Sequence, residues 1–95
     1  MYIISLTYKV PLENIDQHLA DHVAFLNAQY EQGYFLMSGK KIPRIGGIIL
    51  AIAKSKEEVS QWIEKDPFHI HQLADYEVIE FEPTKSTKEL EYLLD

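Results

Sequence analysis

An imidazole on the apolar stripe of a helix needs a partner, and His22 stands in that position. Ile15, Leu19, Leu26 and Tyr30 recur at spacings of four, seven and four, which traces one face of an α-helix at about 100° per residue. Projection puts His22 at the centre of that stripe, between Leu19 and Leu26. A polar group buried without a hydrogen bond costs about 1–3 kcal/mol, so something has to face the ring. The best candidate elsewhere is the carboxylate of Asp66, in Asp66-Pro67-Phe68. A carboxylate beside an imidazole orients it and fixes its tautomer, leaving the other nitrogen to move a proton. Two plainer readings stand beside this one. His22 can be a satisfied core histidine, and Asp66 ahead of Pro67 is a good helix N-cap.

The remaining polar residues are weaker candidates. His18 and His22, four apart on one helix, have the spacing of paired helical metal ligands, but no local Glu, Asp or His completes a set, and no metal site is expected. His69 and His71 alternate around a short turn and point apart, as a solvated pair does, with His69 near enough to Asp66 to line the same cleft. Ser38-Gly39 is either a turn, with glycine permitting an unusual backbone angle, or a hydroxyl and an N–H at a pocket mouth able to hold a carboxylate or oxyanion. A serine nucleophile is not expected without a Gly-x-Ser-x-Gly elbow. Lys40, Lys41 and Arg44 are either a solvated turn or an anion clamp beside that pocket. Trp62, Tyr30 and Tyr34 fit core packing, and neither haem nor flavin is indicated.

The elements that must position these groups follow from periodicity and punctuation. Tyr2 to Tyr8 alternates as a strand. A long helix runs from Pro11, a good first-turn residue, to Gly33. Tyr34 to Ser38 is a short strand, Gly39 to Gly47 a turn or loop, and Ile48 to Ala53 an apolar strand covered on both faces. Ser55-Lys56-Glu57-Glu58 is a capping box opening a helix whose buried side is Val59, Trp62 and Ile63, and Pro67 stops it. His69 to Ala74 has room for another helical turn or two. Tyr76 to Phe81 is a last strand, and Ser86-Thr87-Lys88-Glu89 is a second capping box before a C-terminal helix. The order β-α-β-β-α-β predicts an α+β, ferredoxin-like fold, with two helices on one face of a four-stranded antiparallel sheet. The other face would then carry Ile3, Ile79 and half of the Ile48 to Ala53 strand. An apolar face of that extent predicts a homodimer through the sheet, unless the C-terminal helix covers it.

Bulk properties set the outer limits. With 95 residues there is room for one core, so residues 1–83 are read as the domain and 84–95 as its helical extension. A net charge of −6 works against a nucleic-acid partner, which needs a basic surface. No apolar run approaches the roughly 20 residues that cross a bilayer, no membrane partner is expected, and the N-terminus lacks a signal-peptide pattern. With no cysteine in the chain there is neither a thiolate ligand nor a disulfide. A cytoplasmic location is expected.

Four segments together resemble the YCII-related (YciI-like) family: His22-Val23-Ala24-Phe25-Leu26, Ser38-Gly39, Gly46-Gly47-Ile48-Ile49-Leu50-Ala51 and Asp66-Pro67-Phe68. Their order and spacing carry the likeness over residues 1 to about 83. The resemblance implies a dimeric α+β barrel with sheets paired face to face. It also implies a pocket in which His22 and Asp66 form the active site, with Ser38 as neighbour. Chemistry attributed to relatives includes dehydrochlorination of a chlorinated hydroxyquinol, and the wider barrel group includes lactone isomerases. Lys40 and Lys41 depart from the proline that many members carry after Ser-Gly, which makes the rim more cationic. The expected function is a cofactor-independent lyase or isomerase, with His22 and Asp66 catalytic and Ser38, Gly39, Arg44 and Phe68 binding a small anionic or phenolic substrate. Lys41 is a further candidate for attracting that substrate. The alternative is a dimeric module that binds a small molecule without chemistry.

Overall fold

A computed structural model describes residues 1–94. The elements are β1 (Tyr2–Tyr8), α1 (Leu12–Gln17), α2 (Leu19–Glu31), β2 (Phe35–Lys40), β3 (Gly46–Ala51), α3 (Lys56–Lys65), α4 (Pro67–Ile70) and β4 (Ala74–Glu80), then a 3-10 helix over Lys88–Leu93. The four strands form one sheet in the order β2-β3-β1-β4, every neighbouring pair antiparallel. This is the ferredoxin-like α+β arrangement expected from the element order.

Alternation sorts the strand residues onto two faces. On the helix side, Ser38, Ile49, Ile4 and Val78 make one row across the sheet, and Lys40, Gly47, Leu6 and Tyr76 make the next. Tyr2, Ile4, Leu6, Ile49 and Ala51 from the sheet are buried there with Val59, Trp62 and Phe68. Trp62 stacks on Tyr34 with ring centroids 4.8 Å apart and meets Phe35 edge-on at 5.6 Å. Gly46 is required by close approach, since a Cβ there would overlap the backbone carbonyl of Leu6. Gly33, at φ 78°, closes α2 in the left-handed region.

Several boundaries differ from the sequence reading. The single helix expected from Pro11 to Gly33 is two helices, broken at His18 (φ −111°, ψ 6°). The break seats Ile15 fully in the core from α1 and leaves α2 with no fully buried residue. No proline or glycine lies between Leu12 and Gln32, so no local signal marks it. Gly39 and Lys40, expected in a loop, extend β2, since their backbone groups find partners on Ile48 and Gly47 of β3. Ser55 caps α3, its Oγ accepting from the Glu58 N–H at 3.3 Å, the serine half of the expected box. The Ser86-Thr87 box does not form. Thr87 makes no side-chain cap, Ser86 Oγ donates to the Thr87 carbonyl instead, and the segment winds as a 3-10 helix. Leu90 and Tyr92 on that segment stay exposed, while Leu93 is half-buried beside Met1, Ile52 and Phe81. Among the described residues, no helix is long and apolar enough to cross a membrane.

Candidate active site

Asp66 ends α3 and begins α4. Its backbone is extended (φ −70°, ψ 125°) because Pro67 follows, and Pro67 sits at the start of α4. This turn points the Asp66 side chain back at the first turn of α4, where Oδ1 accepts from the Phe68 N–H at 3.0 Å. The same Oδ1 lies 2.7 Å from Nδ1 of His22, 44 residues away in the chain. Oδ2 accepts from the Tyr76 hydroxyl at 2.6 Å. Asp66 is only 1% exposed, and these contacts leave no polar side-chain atom buried without a partner among the described residues. The N-cap and the histidine contact, set out above as competing readings, are both made by one oxygen.

The His22 ring is fixed from a second direction. It stacks flat on Phe68, with centroids 3.9 Å apart and planes 3° from parallel, so Phe68 acts as a floor for the imidazole. Both Asp66 oxygens accept hydrogen bonds from other donors, so the proton in the short His22 contact belongs on Nδ1. Nε2 is then the nitrogen left for other business.

His22 side-chain exposure is 12%, and its open side faces a cleft of about 330 Å³ between α2 and the β2–β3 end of the sheet. Leu19, Val23, Leu26, Ile49 and Phe68 supply apolar walls, and Tyr8, His22, Ser38, Lys40 and Arg44 the polar groups. The apolar stripe of α2 therefore borders the cleft through Leu19 and Leu26, with Leu26 also packed against the core. Beneath it, Ser38 and Gly47 are small residues on the helix-facing side of the sheet. A larger groove, about 600 Å³ beside Met1, Ile52, Phe81 and Tyr92, holds Glu80 and Glu82 but no imidazole.

The other expected site residues divide. Ser38 and Gly39 line the cleft, and the Ser38 hydroxyl lies 2.6 Å from that of Tyr30. Tyr30, expected in the core, is instead partly exposed and serves this contact. Arg44 lines the cleft but its guanidinium also donates to Asp16 of α1 at 2.7 Å. Lys41, a candidate for attracting substrate, does not face the cleft and donates to Thr7 at 3.1 Å. Lys40 is the lysine that lines it, because β2 continues through Lys40 and puts it on the same face as Ser38. His69 does not reach the cleft either, and its ring lies edge-on to Tyr76 at 5.7 Å. His18, half-buried, stacks on the exposed His71 at 4.1 Å, and the cleft includes neither. Tyr8 and Tyr76 carry no sequence signal beyond strand alternation. Nothing in that pattern distinguishes them from packing tyrosines.

With this geometry in view, the family is decided by the match of the YCII-related domain to residues 1–82. The chain belongs to the YCII-related family. Among solved structures, this YCII-related domain is similar to 5-chloro-2-hydroxyhydroquinone dehydrochlorinase from Burkholderia phenoliruptrix AC1100, in complex with 2,5-dihydroxybenzoquinone. The TM-score is 0.72 at 20% identity, over 85% of this chain and 93% of that one, a likeness of fold. No curated protein matches the sequence.

Proposed function

We propose that this YCII-related domain is a small cofactor-independent enzyme of the lyase or isomerase kind, acting on a small anionic or phenolic ring compound. One observation carries the reading: an imidazole tied through Nδ1 to a buried carboxylate at 2.7 Å borders an apolar cleft. In this reading His22 Nε2 takes or gives a proton at carbon or oxygen of the substrate. Asp66 keeps the ring in one tautomer and balances the imidazolium that forms. Ser38 holds developing negative charge through its hydroxyl, the Gly39 backbone being engaged in the β2–β3 pairing. Lys40 and Arg44 draw the anion in, and Phe68 keeps the imidazole from tilting. The dehydrochlorinase supports the substrate class, because its bound quinone is a small hydroxylated ring that a cleft of about 330 Å³ admits. Proton transfer with loss of chloride, or with migration of a double bond, needs a placed base and a charge-holding site.

The test is turnover of a panel of chlorinated hydroxyquinols, halogenated phenols and lactones, with product analysis. His22→Ala and Asp66→Asn are each expected to lower kcat by about 10²–10⁴-fold. Activity that survives in both variants sinks the proposal. Ligands that raise the melting temperature yet are recovered unchanged would instead mark a binding module.

We further propose that the active form is a homodimer joined through the outer sheet face. Ile3, Leu50 and Ile79 lie opposite one another there, with Met37 beside Leu50. Met37, Ile48 and Ile79 are 68%, 39% and 45% exposed, more apolar surface on one face than a monomer ordinarily leaves open. The C-terminal 3-10 helix stands beside Met1, Ile52 and Phe81 and leaves the rest of this face bare.

A further inference from the structure

Asp66 is held from three directions, and the third comes from a strand. Oδ1 meets the Phe68 N–H and His22 Nδ1, both on the helical side of the site. Oδ2 has one partner among the described residues, the Tyr76 hydroxyl at 2.6 Å. Tyr76 reaches it from the helix-facing row of β4, opposite Leu6, and is itself only partly exposed. A carboxylate bonded only at Oδ1 would be free to swing Oδ2 about the Cβ–Cγ bond, or to carry a proton on it. Either change alters what Oδ1 presents to the imidazole. A protonated Asp66, or one turned away, no longer demands a proton on Nδ1, and His22 can exchange tautomers.

We propose that Tyr76 is a positioning residue for His22, acting through Asp66. Its hydroxyl pins Oδ2, so Oδ1 stays an acceptor aimed at Nδ1 and Nε2 stays bare toward the cleft. This inference rests on the proposed role of His22 in proton transfer, but it concerns the tautomer of the ring and can be tested with no substrate. The surroundings of the hydroxyl agree with a permanent donor. Burial, and then the neighbouring Asp66 charge, push the Tyr76 phenol far above the ordinary tyrosine value of 10.0, so it keeps its proton throughout the neutral range. Facing groups are few: Tyr8 from β1 bears on the same hydroxyl, and the His69 ring approaches edge-on from α4.

The experiment is long-range ¹H–¹⁵N NMR of the histidine rings in the intact chain near neutral pH. Its subjects are the parent protein, Tyr76→Phe, and Tyr92→Phe as a control on the exposed tail. In the neutral form of the ring, the parent is expected to show His22 with Nδ1 protonated and Nε2 bare, and Tyr92→Phe the same. Tyr76→Phe keeps the ring that fills the space and loses only the hydroxyl. It is expected to shift the two His22 nitrogen signals toward each other, as tautomers mix. A folded Tyr76→Phe protein with parental His22 signals overturns the proposal. Should Tyr76→Phe fail to fold, fluorotyrosine placed at position 76 retains the bond while strengthening the donor. It is expected to move the His22 Nδ1 proton resonance, and an unmoved resonance overturns the proposal equally. The enzymatic reading can fail on its own panel of substrates while these tautomer measurements succeed, so the two failures are separable.

Discussion

At the scale of single residues, Asp66 combines duties that are usually separate. It caps α4, receives Tyr76 and faces His22, all through one side chain that is 1% exposed. Such a carboxylate is stable only while its donors remain, because a buried charge that loses a partner becomes strongly destabilising. Phe68 is comparably committed, buried in the core and stacked under the imidazole. Phe68→Ala is expected to cost about 3–5 kcal/mol by urea unfolding, followed by fluorescence of the single, buried Trp62. Tyr76 adds a pH dependence whose sign is fixed. The fold raises its phenol above 10.0, so the neutral form is favoured in the native state. Its stabilising contribution is whole below that pH and is lost as pH climbs beyond it. Unfolding midpoints should therefore fall more steeply above about pH 10 in the parent than in Tyr76→Phe.

At the scale of elements, local patterns account for some boundaries and not for others. Strand alternation and the Ser55 cap depend on neighbours a few residues away, and both appear in the structure. The Ser86-Thr87 box has the same local chemistry yet makes no side-chain cap. Two alanine substitutions should expose this contrast in chemical denaturation. Ser55→Ala is expected to cost about 1 kcal/mol, whereas Thr87→Ala, which removes no cap bond, should change stability by less than about 0.5 kcal/mol. The break at His18 is a further case. Ile15 on α1 is fully buried while α2 carries no fully buried residue, and no proline or glycine in the segment marks the break.

At the scale of the whole molecule, the cleft and the outer sheet face lie on opposite sides of one sheet. Lys40, Gly47, Leu6 and Tyr76 form a single row on the cleft side, while Met37, Leu50, Ile3 and Ile79 form the other surface. A substitution on the outer face can thus disturb assembly without entering the site. Ile79→Lys is expected to halve the mass seen by analytical ultracentrifugation while leaving the native Trp62 fluorescence in place. A parent chain that sediments as a monomer at micromolar concentration would dispose of the dimer.

Taken alone, the sequence determined the kind and order of the elements, because hydrophobic period, proline and capping residues act over a few positions. It also picked out His22 as a polar group on an apolar stripe, and Asp66 as a carboxylate at a helix start. What only the tertiary structure decided is which side chains touch. Tyr76 as a donor to Asp66, Lys40 rather than Lys41 at the cleft, and Arg44 shared with Asp16 all depend on strand register and on the rotation of one helix against another. Those quantities are set by packing of the entire core, and no local run of residues encodes them.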